Sequence, residues 1–310
     1  MQYSVDVILL TYKPGKQIFE LIDSLEKQSY PVQKIILMNT EEKYFEKRFY
    51  GTRFLEKYKN IEVHHLSLKE FDHGRTRKRA VEYSNADIFI CMTQDAIPAN
   101  DKLVEKLVHA ITEQQDVAAA YARQLPYEDC REIERFTRSF NYPEESCVKS
   151  IADLDRLGIK TFFCSNVCAA YHRNMYDRLG GFVKKTIFNE DMIFAGTAIK
   201  AGERIAYVAD ACVYHSHNYT CMQQLKRNFD LGVSQAQYPE IFKGVPSENE
   251  GIKMVKKTIT HLKEKKLWYL IPYVIASSGC KYLGYQLGIH YKALPCGIIM
   301  RCTNQKTYWD

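Results

Sequence analysis

The sequence predicts an α/β fold: a mostly parallel sheet with flanking helices, plus a C-terminal helical tail. Three observations predict it. Apolar, β-branched runs alternate with helical periodicities four times between Val5 and Ile111, the pattern of a parallel sheet with right-handed crossovers and both faces buried. The 310 residues, 46% hydrophobic and 26% charged, can bury a sizeable core and show no internal repeat or low-complexity segment. A basic amphipathic pattern then occupies the last sixty residues.

The first cycle is a strand at Val5–Leu10, a turn at Thr11-Tyr12-Lys13-Pro14-Gly15, and a helix carrying Ile18, Phe19, Ile22 and Leu25 at helical spacing. The second pairs a strand at Lys34–Met38 with a polar, aromatic-bearing helix from Glu41. The third has a strand at Ile61–His64, a loop through Phe71-Asp72-His73-Gly74 and a helix near Thr76–Tyr83. The fourth has a strand at Asp87–Met92, ending at Thr93-Gln94-Asp95, and a helix near Asp101–Ile111. After Val117–Tyr121 the pattern loosens into a polar, aromatic stretch at 124–150. Thr161–Cys164 reads as a strand, His172–Leu179 as a short helix closed by Gly180-Gly181, Asp191–Lys200 as a helix closed by Gly202, and Arg204–Tyr214 as a strand.

Ten cysteines are scattered through apolar segments with no CxxC pair, which reads as reduced thiols that pack, in a cytoplasmic protein without a secretory leader. The longest apolar stretch, Leu267–Cys280, is shorter than the roughly 20 residues a spanning helix needs and contains Pro272. Residues 251–310 are net +8 against +6 for the whole chain, so the remainder is net −2 and the basic character belongs to the tail. There Ile252, Val255, Ile259 and Leu262 recur at helical spacing among six lysines, ahead of Leu267-Trp268-Tyr269-Leu270-Ile271-Pro272-Tyr273. This pattern fits a peripheral membrane contact, or a helix packed on the catalytic domain or on a second subunit in a homo-oligomer. A nucleic-acid role would use the same basic tail with its tyrosines but leaves the loops at the strand ends unexplained, so no nucleic acid is expected.

In a parallel sheet those loops converge on one crevice. The first turn lacks the glycine-rich fingerprint of dinucleotide binding, and there is no Walker-type loop. Phosphates must therefore be neutralised by a cation on a carboxylate and by Arg or Lys. Two acidic signals 96 residues apart supply carboxylates: Gln94-Asp95 at the end of the fourth strand, and Asn189-Glu190-Asp191 at a helix start. Each has a plainer reading, Asp95 as a turn residue and Glu190-Asp191 as ordinary acidic residues at a helix N-terminus.

At this point the chain resembles the GT-A glycosyltransferases of glycosyltransferase family 2, in the rhamnosyltransferase-like branch of bacterial cell-wall and surface polysaccharide synthesis. The resemblance covers roughly residues 3–235. It rests on Val-Ile-Leu-Leu-Thr-Tyr, Leu-Met-Asn-Thr-Glu-Glu, Phe-Asp-His-Gly-Arg-Thr-Arg, Thr-Gln-Asp-Ala-Ile-Pro, Tyr-Ala-Arg-Gln-Leu-Pro, Phe-Cys-Ser-Asn-Val, Asn-Glu-Asp-Met and Tyr-His-Ser-His-Asn-Tyr, in that order.

The resemblance implies a catalytic domain at 1–235 and a basic helical region at 236–310. It implies transfer, with inversion, of L-rhamnose from dTDP-L-rhamnose to a polyprenyl-linked or growing glycan, with Mg²⁺ or Mn²⁺ as cofactor. Asp191 would take the acceptor proton, with Glu190 orienting the acceptor or the base. Thr11 and Tyr12 would line the nucleotide pocket, Asn39 would stand where relatives place a pyrimidine-recognising Asp, and Arg75 or Arg77 would approach the diphosphate. Asp95 would hold the metal with His215 or His217, beside Gln94 where many relatives have a second Asp. Ser165 and Asn166 would contact the acceptor. Arg131, Arg135 and Arg138 read instead as a solvated helix face. A catalytically inactive sugar-nucleotide-binding or scaffolding relative is the alternative, since Asn39 and Gln94 each replace an acid. A nucleotidyltransferase is disfavoured because its glycine-rich and lysine signature is absent.

Overall fold

The computed structural model describes residues 2–245 and 248–309, apart from the side chains of Glu248 and Asn249. The strands are β1 (Val5–Tyr12), β2 (Lys34–Thr40), β3 (Ile61–Leu66), β4 (Ile88–Thr93), β5 (Ile97–Pro98), β6 (Val117–Leu125), β7 (Cys147–Lys149), β8 (Cys168–His172) and β9 (Arg204–Tyr214). They form one sheet in the order β3-β2-β1-β4-β8-β6-β9-β5, with β7 also on β9. The four expected strand and helix cycles give the parallel half, β3-β2-β1-β4. Beyond β4 the sheet is mixed: β8 runs antiparallel to β4 and β6, while β6 and β9 are parallel. Apolar side chains cover both faces, and a smaller cluster around Phe229 and Ile299 seals the C-terminal helices.

One expected strand is absent here and one unexpected strand is present. Thr161–Cys164 is not a strand; Gly158–Phe162 is a 3₁₀ turn. Its carbonyls are turned toward the buried Lys149, whose Nζ donates to Lys160 O at 3.1 Å and also to Phe163 O. Conversely, the short run Cys-Ala-Ala-Tyr-His has modest strand propensity but is β8, at the centre of the sheet. Pairing on both sides and complete burial of Ala169, Ala170 and Tyr171 fix it there. Because β8 is antiparallel, its N-terminal end, with Ser165 and Asn166 just before it, lies beside the C-terminal ends of β4 and β6.

The C-terminal helices pack on the rest of the chain. Helix Ile271–Ile289 lies along helix Cys221–Gln237 at very close range. A Cβ on Gly284 would stand 2.1 Å from Leu225 O, and one on Gly288 2.2 Å from Phe229 O. The expected boundary at 235/236 thus falls inside a helix whose partner comes from the tail. Helix Glu248–Glu264 rests on helix Glu132–Asn141: His261 Nε2 and Lys265 Nζ each lie 2.7 Å from Glu132 Oε1, and the His261 and Phe136 rings stack at 4.4 Å. Among the described residues no helix is long and apolar enough to cross a membrane.

Candidate active site

A cavity of about 510 Å³ opens where the ends of β4, β6 and β9 meet the N-terminus of β8 and the start of helix Glu190–Lys200. Asp95 and Asp191, distant in sequence, both line it.

On one wall, Glu190 is buried and accepts from Arg77 Nη1 at 2.8 Å and from Asn166 Nδ2 at 2.8 Å. The adjacent Asp191 accepts from the backbone N–H of Asn166 at 2.8 Å and of Met192 at 2.8 Å. Burial disfavours both charges, but the outcome differs. Burial is the largest single influence on Glu190, but the Arg77 guanidinium, His73 and the Asn166 hydrogen bond together outweigh it and hold the carboxyl below its ordinary range. Asp191 has no such partner; burial and the neighbouring Glu190 charge push it up to about 7. Two neighbouring carboxyls with divergent proton affinities are the usual mark of an acid–base pair. Asn189 starts this helix in the left-handed region (φ 73), and its buried Nδ2 has no protein partner, as is also true of Thr93 Oγ1 across the cavity.

On the other wall, Asp95, His215 and His217 offer ligand atoms that all lie within 4.8 Å of one another. His217 Nε2 is 3.2 Å from Asp95 Oδ2 and 3.1 Å from His215 Nε2, and His215 Nε2 is 3.7 Å from Asp95 Oδ1. Ligands at right angles on an ion with bonds of about 2.0–2.2 Å stand about 2.8–3.1 Å apart, so modest closure would seat a divalent cation. The second shell supports this fit. Gln124 Oε1 accepts from both Arg138 and His215 Nδ1, the latter at 2.9 Å, so Nδ1 carries the proton and Nε2 turns its lone pair toward Asp95. Burial lowers His215 to about 3, keeping it neutral. Burial alone would raise Asp95, yet the hydrogen bond with His217 and the further contributions of His215 and Thr93 together outweigh it, and the carboxylate stays ionised.

The remaining expected residues fall into two groups. Ser165 faces the cavity and its Oγ accepts from Gln124 Nε2 at 3.1 Å. Asn166 has its side chain fully engaged, since Oδ1 also accepts from Tyr171 at 2.7 Å, so it positions Glu190 and Asp191. Arg77 likewise lies in the wall, its charge committed to Glu190. Thr11, Tyr12, Asn39, Arg75 and Gln94 are not among the lining residues. All but Arg75 gather next door at the ends of β1, β2 and β4, where Thr11 is paired in register with Asn39. The Asn39 amide is buried and consumed, accepting from Thr11 Oγ1 at 3.2 Å and meeting His65 Nδ1 at 3.0 Å. Gln94 clamps Tyr12, accepting from its N–H at 3.2 Å and donating to its carbonyl at 2.9 Å. The Tyr12 and Tyr44 rings meet edge to face at 5.6 Å, with Lys13 over both, and Arg75 is exposed.

Four cavity residues, Gln124, Arg138, Arg227 and Lys281, were not singled out as site residues by sequence pattern. Arg138 departs from the solvated-face expectation: it is largely buried, bonded to Gln124 and paired with Glu134 at 2.7 Å. Arg227 lies over the Phe188 ring at 4.6 Å, and Lys281 enters from the tail. Gln124, inside the Tyr-Ala-Arg-Gln-Leu-Pro motif, carried a usable signal; Arg227 and Lys281 carried none, since only tertiary packing brings them in.

The sequence matches the profile of "Glycosyl transferase family 2" over residues 6–180. It is 37% identical over 309 residues to the O-antigen chain rhamnosyltransferase RfbN of Salmonella typhimurium, covering 99% of this chain and 96% of that protein. The chain belongs to glycosyltransferase family 2. Within it the chain falls in the rhamnosyltransferase-like branch, with WbaN of Salmonella anatum, also an O-antigen chain rhamnosyltransferase, 36% identical over 99% of this chain and 96% of the relative. It is a glycosyltransferase. Two solved structures share its GT-A fold. The mannosyltransferase PcManGT from Pyrobaculum calidifontis, in complex with GDP-Man and Mn²⁺, superimposes with TM-score 0.59 at 15% identity over 100% of this chain and 86% of that one. Staphylococcus aureus TarS 1–349, in complex with UDP-GlcNAc, gives TM-score 0.51 at 15% identity, covering 93% and 91%.

Proposed function

We propose that this family 2 glycosyltransferase transfers L-rhamnose, with inversion, from dTDP-L-rhamnose to a glycan carried on a polyprenyl diphosphate. The observation that carries the reading is the pair Glu190 and Asp191: one carboxylate fixed by Arg77, the other poised near pH 7, across one cavity from Asp95, His215 and His217. The choice of sugar follows the printed activities of the two Salmonella relatives.

In this reading the acceptor hydroxyl donates its hydrogen bond to Asp191 and loses its proton to that carboxylate as its oxygen bonds the anomeric carbon. The bond to the leaving nucleoside diphosphate breaks on the opposite face. Asn166 holds Glu190 and Asp191 in register, and Glu190 keeps Arg77 oriented. Asp95, His215 and His217 would hold Mn²⁺ or Mg²⁺, which neutralises charge on the leaving diphosphate. Two imidazoles in the set favour Mn²⁺, because Mg²⁺ prefers an all-oxygen shell. Thr11, Tyr12, Asn39 and Gln94 shape the neighbouring nucleotide pocket, and Ser165 meets the acceptor. The C-terminal helices would rest on the inner face of the plasma membrane; Trp268, Tyr269, Ile275, Tyr282 and Leu283 are each more than half exposed.

The test is product formation from dTDP-L-rhamnose and a prenyl-diphosphate-linked glycan, with Mn²⁺, Mg²⁺ or a chelator. Release of dTDP that needs the acceptor, falls with chelation and favours Mn²⁺ supports the reading. Tight binding of the nucleotide sugar without turnover on any acceptor would instead identify an inactive, sugar-nucleotide-binding relative. The Gln94 clamp on Tyr12 gives that alternative its one specific support, because it leaves Asp95 without a neighbouring acid.

A further inference from the structure

Helix Ile271–Ile289 contains a single charged residue, Lys281. Its buried positions Val274, Ser277, Gly284 and Gly288 form the seam against helix Cys221–Gln237. Lys281 lies in that same seam by spacing, three residues before Gly284 and seven after Val274. A lysine there would normally be excluded, because burying an ammonium without a partner is costly. Here the seam opens into the catalytic cavity, and Lys281 lines it together with Arg227. Among the described residues neither has a carboxylate within 4.0 Å, whereas Arg77 and Arg138 are both paired. Burial and the nearby Arg227 and Arg138 charges hold the Lys281 proton affinity below that of an ordinary lysine, against the opposing pull of Glu134, whose carboxylate is already paired with Arg138.

We propose that Lys281 and Arg227 form an anion subsite that binds the diphosphate of the lipid-linked acceptor. This rests on the glycosyl-transfer reading above and adds to it the group that recognises the acceptor's phosphates. The donor's diphosphate would take its counter-charge from the divalent cation that Asp95, His215 and His217 would hold. An acceptor on a polyprenyl diphosphate brings a second pair of phosphates, joined to a hydrocarbon chain. The helix that supplies Lys281 matches that combination. About 100° round its axis from Lys281 begins a face with Ile275, Tyr282 and Leu283 at 58%, 61% and 51% exposure. One helix therefore presents a cation to the cavity and an apolar strip to the outside, an arrangement suited to a phospholipid-like acceptor and unsuited to a hydrophilic nucleotide.

Two acceptors bearing the same glycan test the proposal, one on farnesyl diphosphate and one on a neutral alkyl aglycone. The wild type is expected to prefer the diphosphate in kcat/KM by about tenfold or more, the scale of one or two charge-assisted hydrogen bonds. Lys281→Met should remove most of that preference while leaving the donor KM within about twofold; Lys281→Arg should keep it. An unchanged preference in Lys281→Met, an equal loss on both acceptors, or a raised donor KM would each overturn the assignment. A binding measurement separates this from failure of the glycosyl-transfer reading. Farnesyl diphosphate, but not farnesol, should raise the melting temperature of the wild type and not of Lys281→Met, even if no turnover is seen with dTDP-L-rhamnose. No shift with farnesyl diphosphate, or an equal shift in both proteins, counts against the subsite.

Discussion

On the sheet side of the cavity the charges are held in fixed partnerships; on the helical side two cations form no ion pair among the described residues. Glu190 is tied to Arg77 and Asn166, and Asp95 to His217. Arg227 and Lys281 project from helices that meet through small residues, and they meet an aromatic ring and open cavity instead. The sheet side is thus preorganised for chemistry, where fixed donors and acceptors cost no reorganisation during reaction. The helical side is left open for a charged substrate to complete. One cavity is built by two regions under different physical constraints, and each constraint can be broken separately.

The largest effect should come from the sheet side. Arg77→Met strips a buried carboxylate of its counter-ion and should cost about 3–5 kcal/mol of stability in urea unfolding. Combining it with Glu190→Gln should recover part of that loss, because no uncompensated charge remains. Two fully additive losses would show that the pair is not coupled.

Packing, not charge, governs the helical side. Gly288→Val places methyl groups against Phe229 O and should cost about 1–3 kcal/mol or more through overpacking, read by thermal melts. A neutral outcome would mean that the two helices separate easily.

A smaller effect separates Asp191 from Glu190. The Asp191 carboxyl titrates near 7 in the folded chain, above the roughly 3.9 of an unfolded aspartate, so its ionisation opposes folding increasingly as pH rises from about 4 to about 7. Asp191→Asn carries no such penalty. Its melting temperature relative to wild type should therefore improve between pH 5 and pH 8, and a constant difference would contradict the raised affinity. Smallest of all, Ile275→Ser on the exposed face should change stability by less than about 0.5 kcal/mol, yet weaken flotation with anionic liposomes. Unchanged flotation would remove the membrane role of that face.

The same division governs what was legible in the sequence. β1 to β4 and their helices follow from apolar periodicity, because each is buried by its immediate neighbours in the chain. β8 was not legible, since Cys-Ala-Ala-Tyr-His becomes a strand through partners far away in sequence. Asp95, Glu190 and Asp191 stood out as acids at element ends, but no local pattern could show that Arg77 turns to Glu190. Nor could it show that the Asn39 amide is spent within the sheet, where Thr11 and His65 meet it. The tail lysines read as the basic side of an amphipathic helix, and nothing local set Lys281 apart; Gly284 and Gly288 draw its helix close against helix Cys221–Gln237, beside the cavity.

The pH dependence of transfer is the sharpest test of Asp191 as the base. With the donor and lipid-linked acceptor, kcat/KM of the wild type should rise with pH and level off above about 7, as the carboxyl loses its proton. Asp191→Asn should lower the plateau by about 10²- to 10⁴-fold and abolish the inflection. A wild-type profile flat from pH 5 to 8, or an Asp191→Asn enzyme of near-normal rate, would contradict the account.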